Sequence, residues 1–400
     1  MRFMSIFASR SSLRVALLGA ALLLGGCGTF SRDNTEPPAP LPDYTRTVLP
    51  STVWNRDTGG GVGRFYVYLV PMRFGDGVYV TDAEGRVTAV NAEDGRQRWS
   101  VNLSVPVTGG VGGGDGLVMV GTAKGEIIAL DMESGEMLWS RRLSSEVMAI
   151  SSVSQDRVVA RTNDGRVHAL HAGTGEPDWL AGRTTPALSL RGVGQPVMVP
   201  GRVIVGFDNG RVLSLGLGRG NVLWETALAV PSGRSELERM VDVDGHIVVA
   251  DGRVYAVAYQ GRVAALSLAD GRILWERNFS SHRGLAVGGN QVFITDAEGH
   301  VWALDRNSGG TLWQQELLRL RGVTAPVVLG DHVVVGDYEG YLHWLSREDG
   351  SLVGRLRTDS SGLMSRPIVH EGRLYVLGNG GRLSAVVPEG GRRARWSDSE

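Results

Sequence analysis

Length alone would allow about two or three domains in the 400 residues, but one repeating pattern fills nearly the whole chain and argues for one. Glycine, at 57 residues, is about twice its ordinary share, as a protein rich in tight turns requires. The formal net charge is −1 and becomes −4 once the three arginines of the first 26 residues are set aside; with no basic stripe and no long charge run, nucleic acid is excluded as a partner.

Arg2, Arg10 and Arg14 precede an apolar stretch, residues 15–24, too short to span a bilayer as a helix, so residues 1–26 read as a signal peptide. The only cysteine, Cys27, follows Leu24-Gly25-Gly26 in a sequence that resembles a bacterial lipobox. The resemblance implies cleavage before Cys27 and lipidation of its sulfur and new amino group; by similarity to known sorting rules, Gly28 rather than aspartate favours the outer membrane. Several acyl chains, at about 0.8 kcal/mol per buried CH₂, would make the anchor stable. Residues 27–51, with Pro37, Pro38, Pro40, Pro42 and Pro50, are expected to tether the body of the protein near the membrane surface while leaving it free to move.

A stray strand at residues 52–54 ends in Trp54, and the repeats follow. Residues 125–139, GEIIALDMESGEMLW, typify them, aligned on a glycine and a tryptophan four residues later: Gly95/Trp99, Gly135/Trp139, Gly175/Trp179, Gly220/Trp224, Gly271/Trp275 and Gly309/Trp313. A seventh copy has Gly350 but carries Gly354 where the tryptophan belongs, and an eighth, residues 373–387, also lacks it. Each copy alternates apolar and polar residues with period two between Gly, Asn and Asp turns, the pattern of strands joined by hairpins. A further strand precedes each copy, giving four per unit, and the tryptophans recur at 40, 40, 45, 51 and 38 residues, the size of a propeller blade. The predicted fold is all-β: an eight-bladed β-propeller of four-stranded antiparallel blades over residues 52–388, with residues 389–400 a mobile tail. The N-terminal strand ending in Trp54 is expected to close the ring by completing the last blade; Trp396 competes for that place but lies five residues after Gly391 rather than four.

Insertions mark the informative places in a repeat array, because their loops project together. The unit from Trp179 to Trp224 is five residues longer than the basic 40, and the next is eleven longer. The first enlarged loop holds LSLRG, residues 188–192. Leu188, Leu190 and Arg191 there make either a contact patch, apolar anchors with a charge that sets register, or the first strand of a blade with both leucines in the core. The second, residues 232–245, places Ser235 and Glu238 in a capping box that predicts a short helix ahead of Asp242 and Asp244, which from sequence alone read either as solvated loop acids or as a site.

Catalytic signals are poor. The eight histidines are scattered over separate repeats, and His168 and His171 do not converge on one strand face. The glycine-rich stretches at residues 59–63 and 109–116 lack GxGxxG and lead into strands, which argues against phosphate cradling. Asp131 and Asp305 sit at turn entries, where an Asx turn explains them better than metal binding.

The repeat at residues 129–139, ALDMESGEMLW, resembles the tryptophan-docking motif of the pyrroloquinoline quinone enzymes and their non-enzymatic relatives. Together with the lipobox, LSLRG at 188–192, FDNGRV at 207–212, VGDYEGYLHWL at 335–345 and DSSG at 359–362, it makes residues 27–387 similar to the BamB family, lipoproteins of the outer-membrane β-barrel assembly machinery. That resemblance implies no catalytic activity, no cofactor, and a scaffold on the periplasmic face of the outer membrane. It implies binding to the POTRA region of BamA, alongside the other subunits of the complex, and strand edges offered to unfolded outer-membrane proteins. It carries the BamA contacts onto Leu188, Leu190, Arg191, Asp242 and Asp244. The competing class is a quinoprotein dehydrogenase using quinone and calcium; those enzymes are longer, with active-site insertions and often paired cysteines, whereas the one cysteine here is assigned to the lipid.

Overall fold

The computed structural model describes residues 36–63, 67–186, 188–190, 194–243 and 245–388. Contacts divide the chain into two units, residues 1–37 and 38–400, and the second is the propeller. Its strands form eight four-stranded antiparallel sheets, seven of them built from consecutive strands with the innermost first. Blades 1 to 7 span residues 72–102, 107–142, 147–182, 197–227, 248–279, 285–315 and 327–357. Blade 8 takes Ile368–His370, Arg373–Leu377 and Arg382–Val387, and its outermost strand is Ser51–Asp57 from the other end of the chain, paired with Arg382–Val387. Trp54, not Trp396, therefore closes the ring.

A bulge in the outermost pair of each blade sets the position of its tryptophan. In six blades and in the closing blade it faces a small residue across the pair: Ala89↔Trp99, Ala129↔Trp139, Ala169↔Trp179, Ser214↔Trp224, Ala265↔Trp275, Ala303↔Trp313 and Ala385↔Trp54. Each indole then lies on the turn glycine of the next blade, Trp54 on Gly95 and Trp313 on Gly350 among them. Those glycines hold φ between 67° and 76°, and any Cβ would enter the ring above, so no other residue serves both demands. Each indole N–H also donates to a backbone carbonyl of that next blade at 2.7–3.1 Å, Ala92 for Trp54 and Arg347 for Trp313. Packing and a satisfied donor thus recur at seven seams.

The seam from blade 7 to blade 8 is built differently. Its cross-strand pair is Trp344↔Gly354, so the tryptophan has moved to the inner partner of the pair and is fully buried. Gly354 leaves room, and the chain from residue 39 to 50 fills it: Val48 and Pro50 lie where a side chain at 354 would stand. The N–H groups of Thr47 and Val48 both donate to the carbonyl of Val353 at 3.0 Å, and Val48 joins the apolar core between blades 7 and 8. Farther back, Arg355 Nη2 donates to Pro42 O at 2.7 Å with its guanidinium 4.9 Å from the Tyr44 ring, and Arg321 Nη1 donates to Ala39 O at 2.8 Å. The segment expected to be a free tether is, from Ala39 onward, fastened to blade 7.

Beneath it lies a buried charge cluster. Asp337 Oδ2 accepts from Arg321 Nε at 2.9 Å and pairs with His343 Nε2 at 3.0 Å, while its Oδ1 accepts the N–H groups of Glu339 and Tyr341, each at 3.0 Å. Arg321 also pairs with Glu339. Burial lowers the His343 pKa and would raise that of Asp337, but the hydrogen bond and charge of its partners bring the carboxyl below the ordinary value. The arrangement is a carboxylate held between a guanidinium and a neutral imidazole.

Elsewhere the turn chemistry follows expectation. Asp131 Oδ1 accepts from the N–H groups of Glu133 and Ser134 at 3.1 and 2.7 Å, and Asp305 does the same for Asn307 and Ser308, both as Asx turns. Among the described residues no group of acids, histidines and cysteines is placed to hold a metal ion. The glycine run at 109–114 does not merely precede a strand but forms most of Val107–Gly114, the innermost strand of blade 2. There Gly110 lets the backbone at Val70 approach within 3.1 Å of where a Cβ would stand.

Candidate functional site

Because the blades share one direction, every connection from an outermost strand to the next innermost strand lies on the same face of the ring. Two long connections of this kind, residues 183–196 and 228–247, flank blade 4; residues 58–71, ahead of blade 1, are as long as the first.

The first leaves blade 3 through Arg183, whose Nη2 donates to Glu225 Oε2 of blade 4 at 2.7 Å. Arg211 holds the other carboxylate oxygen at 3.1 Å, and the hydrogen bond from Arg183, foremost, keeps the Glu225 pKa below its ordinary value. The connection runs without regular strand until Val197–Val199. Leu188 is 47% exposed and Leu190 half-buried, so neither is a strand residue in a core. Arg191 lies outside the described residues.

The second connection begins in an apolar anchor, Leu228 and Ala229, and ends in another, Met240, Val241 and Val243. Between them, Glu238 Oε2 accepts the N–H groups of Arg234 and Ser235 at 2.7 and 3.2 Å, and Ser235 Oγ accepts the N–H of Glu238 at 3.2 Å. The capping box forms, but it closes a single turn rather than a helix, because the chain must descend at once to bury Met240 and Val241. Val243 N–H donates to Phe207 O at 3.2 Å, an approach that requires glycine at 206, since a Cβ there would overlap the Val243 carbonyl.

Asp242 is no solvated loop acid. It is 1% exposed, its carbonyl accepts the Tyr259 N–H at 2.7 Å, and its carboxylate reaches across to the first connection, where Oδ2 accepts the Leu190 N–H at 3.2 Å. That bond places the two enlarged connections side by side. Asp244 lies outside the described residues. A groove lined by Thr184, Thr185, Pro186 and Leu188 from one connection and Pro231, Glu236 and Arg239 from the other runs between them. Leu237 and Val230, each 65% exposed and next in sequence to the groove residues Glu236 and Pro231, add apolar surface to the second connection. Sequence reasoning missed these two; the signal was present, since the apolar run at residues 227–230 continues past the end of the strand Val222–Ala227.

Among its described residues the arrangement offers no metal set. It offers an apolar, partly charged ledge on a rigid base: Arg161 of blade 3 pairs with Asp208 of blade 4 beneath it, both almost fully buried. Such surfaces suit protein recognition, where a few apolar anchors carry most of the affinity and charged neighbours set orientation.

A family model described as outer membrane protein assembly factor BamB matches residues 83–315 and 297–400. The chain is 48% identical over 372 residues to the outer membrane protein assembly factor BamB of Pseudomonas aeruginosa, spanning 93% of this chain and 98% of that protein. It is 35% identical over 389 residues to the BamB of Escherichia coli, spanning 94% and 99%. The crystal structure of BamB from Moraxella catarrhalis superposes with a TM-score of 0.78 at 27% identity, covering 85% of this chain and 100% of that one. With near full-length matches in sequence and fold alike, the chain belongs to the BamB family of outer membrane protein assembly factors.

Proposed function

We propose that the protein is a non-enzymatic assembly factor of the outer membrane: a lipoprotein, anchored through Cys27 on the periplasmic face, that holds the barrel-inserting subunit BamA by its POTRA region. The association with outer-membrane protein assembly follows from the family. The finer reading rests on one observation, the Leu190 N–H to Asp242 carboxylate bond that unites the two enlarged connections into a single ledge. Leu188, together with the exposed Leu237 and Val230 of the second connection, supplies the apolar anchors, and Arg191 and Asp244, which lie outside the described residues, are the charges the sequence assigns to it. Asp242 acts from beneath, as the residue that fixes the ledge.

The test is capture of BamA from detergent-solubilised outer membranes by the affinity-tagged full chain, comparing wild type with Arg191→Glu at equal folded fraction by circular dichroism. Retention by the wild type and loss by the variant supports both partner and site. Retention by both moves the site elsewhere, and failure of the wild type to retain BamA overturns the reading.

A further inference from the structure

A partly open cavity of about 70 Å³ lies on the ring axis, with room for roughly five water molecules. Its wall comes from residues standing just before the innermost strands of several blades, hence at the face that carries the enlarged connections: Tyr68, Gln195, His246, His282, Arg283 and Arg366. No aspartate or glutamate lines it among the described residues.

The two arginines differ in their surroundings. Arg283 is braced, with Nη1 donating to the Tyr68 hydroxyl at 2.9 Å and the guanidinium 5.6 Å from that ring. Arg366 has no hydrogen bond or ion pair with any described residue, and burial alone acts on it, bringing its pKa down to about 10. It therefore stays charged at neutral pH, half-buried at the cavity wall and without a counter-charge among the described residues. Both histidines are neutral at that pH: burial and then Arg366 hold His246 well below its ordinary value, and burial and then Arg283 bring His282 to about 4. Each imidazole can therefore turn one donor and one acceptor toward the cavity.

An interior charge without a partner weakens a fold, so a sequence selected for stability alone would replace Arg366 with an uncharged residue. A guanidinium left without a partner at the wall of a partly enclosed recess is, however, what recognition of an oxyanion needs, since its planar fork matches a carboxylate or phosphate bidentately. We propose that the axial cavity binds a small oxyanion, a carboxylate or phosphate group, held by Arg366 and Arg283 with His246 and His282 completing its hydrogen bonds. The proposal stands apart from partner binding, although Gln195 and His246 belong to the two enlarged connections and would let occupancy be felt there.

The test uses the full chain in detergent micelles, titrated with sodium phosphate or sodium acetate at an ionic strength matched with sodium chloride, and followed by thermal unfolding and by calorimetry. The expected result is a saturable rise in Tm and a saturable heat with phosphate or acetate but not chloride, and the tighter of the two anions names the source. Arg366→Gln should raise the Tm of the anion-free protein and weaken binding by about tenfold or more, since charge-assisted pairs are the strong ones. Arg366→Lys should keep part of the response, and Arg283→Gln should weaken it in a protein whose Arg366 is intact. Absence of any saturable response up to about 50 mM, where a millimolar site would be nearly full, overturns the proposal, as does an equal response in Arg366→Gln or, should that variant not fold, in Arg283→Gln.

Discussion

Two regions break the repeat, and the fold treats them in opposite ways. At the blade 7 to blade 8 seam the docking tryptophan is missing, yet its packing is supplied by something else: Trp344 fills the volume from across the pair, residues 39–50 cover Gly354, and Arg321 and Arg355 bond that cover in place. At the connections flanking blade 4 the chain is longer, and the extra residues leave Leu188, Val230 and Leu237 in solvent over a base fixed by Asp242. A departure that the molecule heals internally is architecture. One that it leaves open on a rigid base is, on the function proposed above, a surface kept for a partner.

The largest expected effect lies in the healed seam. Asp337→Ala leaves the buried Arg321 with only the more exposed Glu339 as counter-charge, so the cost should lie at the lower end of the range for breaking a buried pair, about 3 kcal/mol, read as a lowered urea midpoint. The same cluster predicts a sign for acid. His343 and Asp337 both have lowered native pKa values, so the unfolded chain binds more protons below the ordinary values of 6.5 and 3.8. Stability present at pH 7 is lost first as pH falls through 6.5, then again as it falls through 3.8, and His343→Gln should shrink the first stage, to which the other histidines with lowered pKa values, His246 and His282 among them, also contribute. Val48→Asp, which puts a carboxylate into the inter-blade core, should cost roughly 2–4 kcal/mol and would show that residues 39–50 are part of the fold. Little change in Tm would restore the free tether.

A finer contrast comes from two tryptophans. Trp313 Nε1 donates to Arg347 O at 2.9 Å, whereas Trp344 Nε1 is buried without a partner among the described residues. Replacement by phenylalanine should therefore cost about 1 kcal/mol more at 313 than at 344, in paired urea unfolding curves. Smallest in stability is Leu188→Asp, within about 0.5 kcal/mol of wild type because the side chain stands half in solvent.

What could be read from sequence was what the backbone repeats. Turn glycines with positive φ, Asx turns at Asp131 and Asp305, and the tryptophan spacing are local demands, each written in a few adjacent residues. They suffice for the blade count and for closure through Trp54. The exchange of Trp344 and Gly354 was not legible, because each looks like a lost repeat until the register sets them opposite one another. Nor was the docking of residues 39–50: prolines announce an extended segment, but its partners Arg321 and Arg355 lie some three hundred residues away. Asp242 and the capping box show the same limit. Burial of Met240, Val241 and Val243, a tertiary demand, pulled the acid inside and cut the helix to one turn. The two loops themselves were legible as insertions; the apolar surface added by Val230 and Leu237 was not.

The most direct test sets the two regions against each other: Tm and capture of BamA measured together for full-length Leu188→Asp and Val48→Asp, with capture compared at equal folded fraction. The account predicts that Leu188→Asp keeps the wild-type Tm and loses BamA, while Val48→Asp lowers the Tm and, among folded molecules, keeps BamA. Leu188→Asp retaining BamA while folded Val48→Asp loses it would contradict the account, placing the partner at the seam and leaving the enlarged connections without a role.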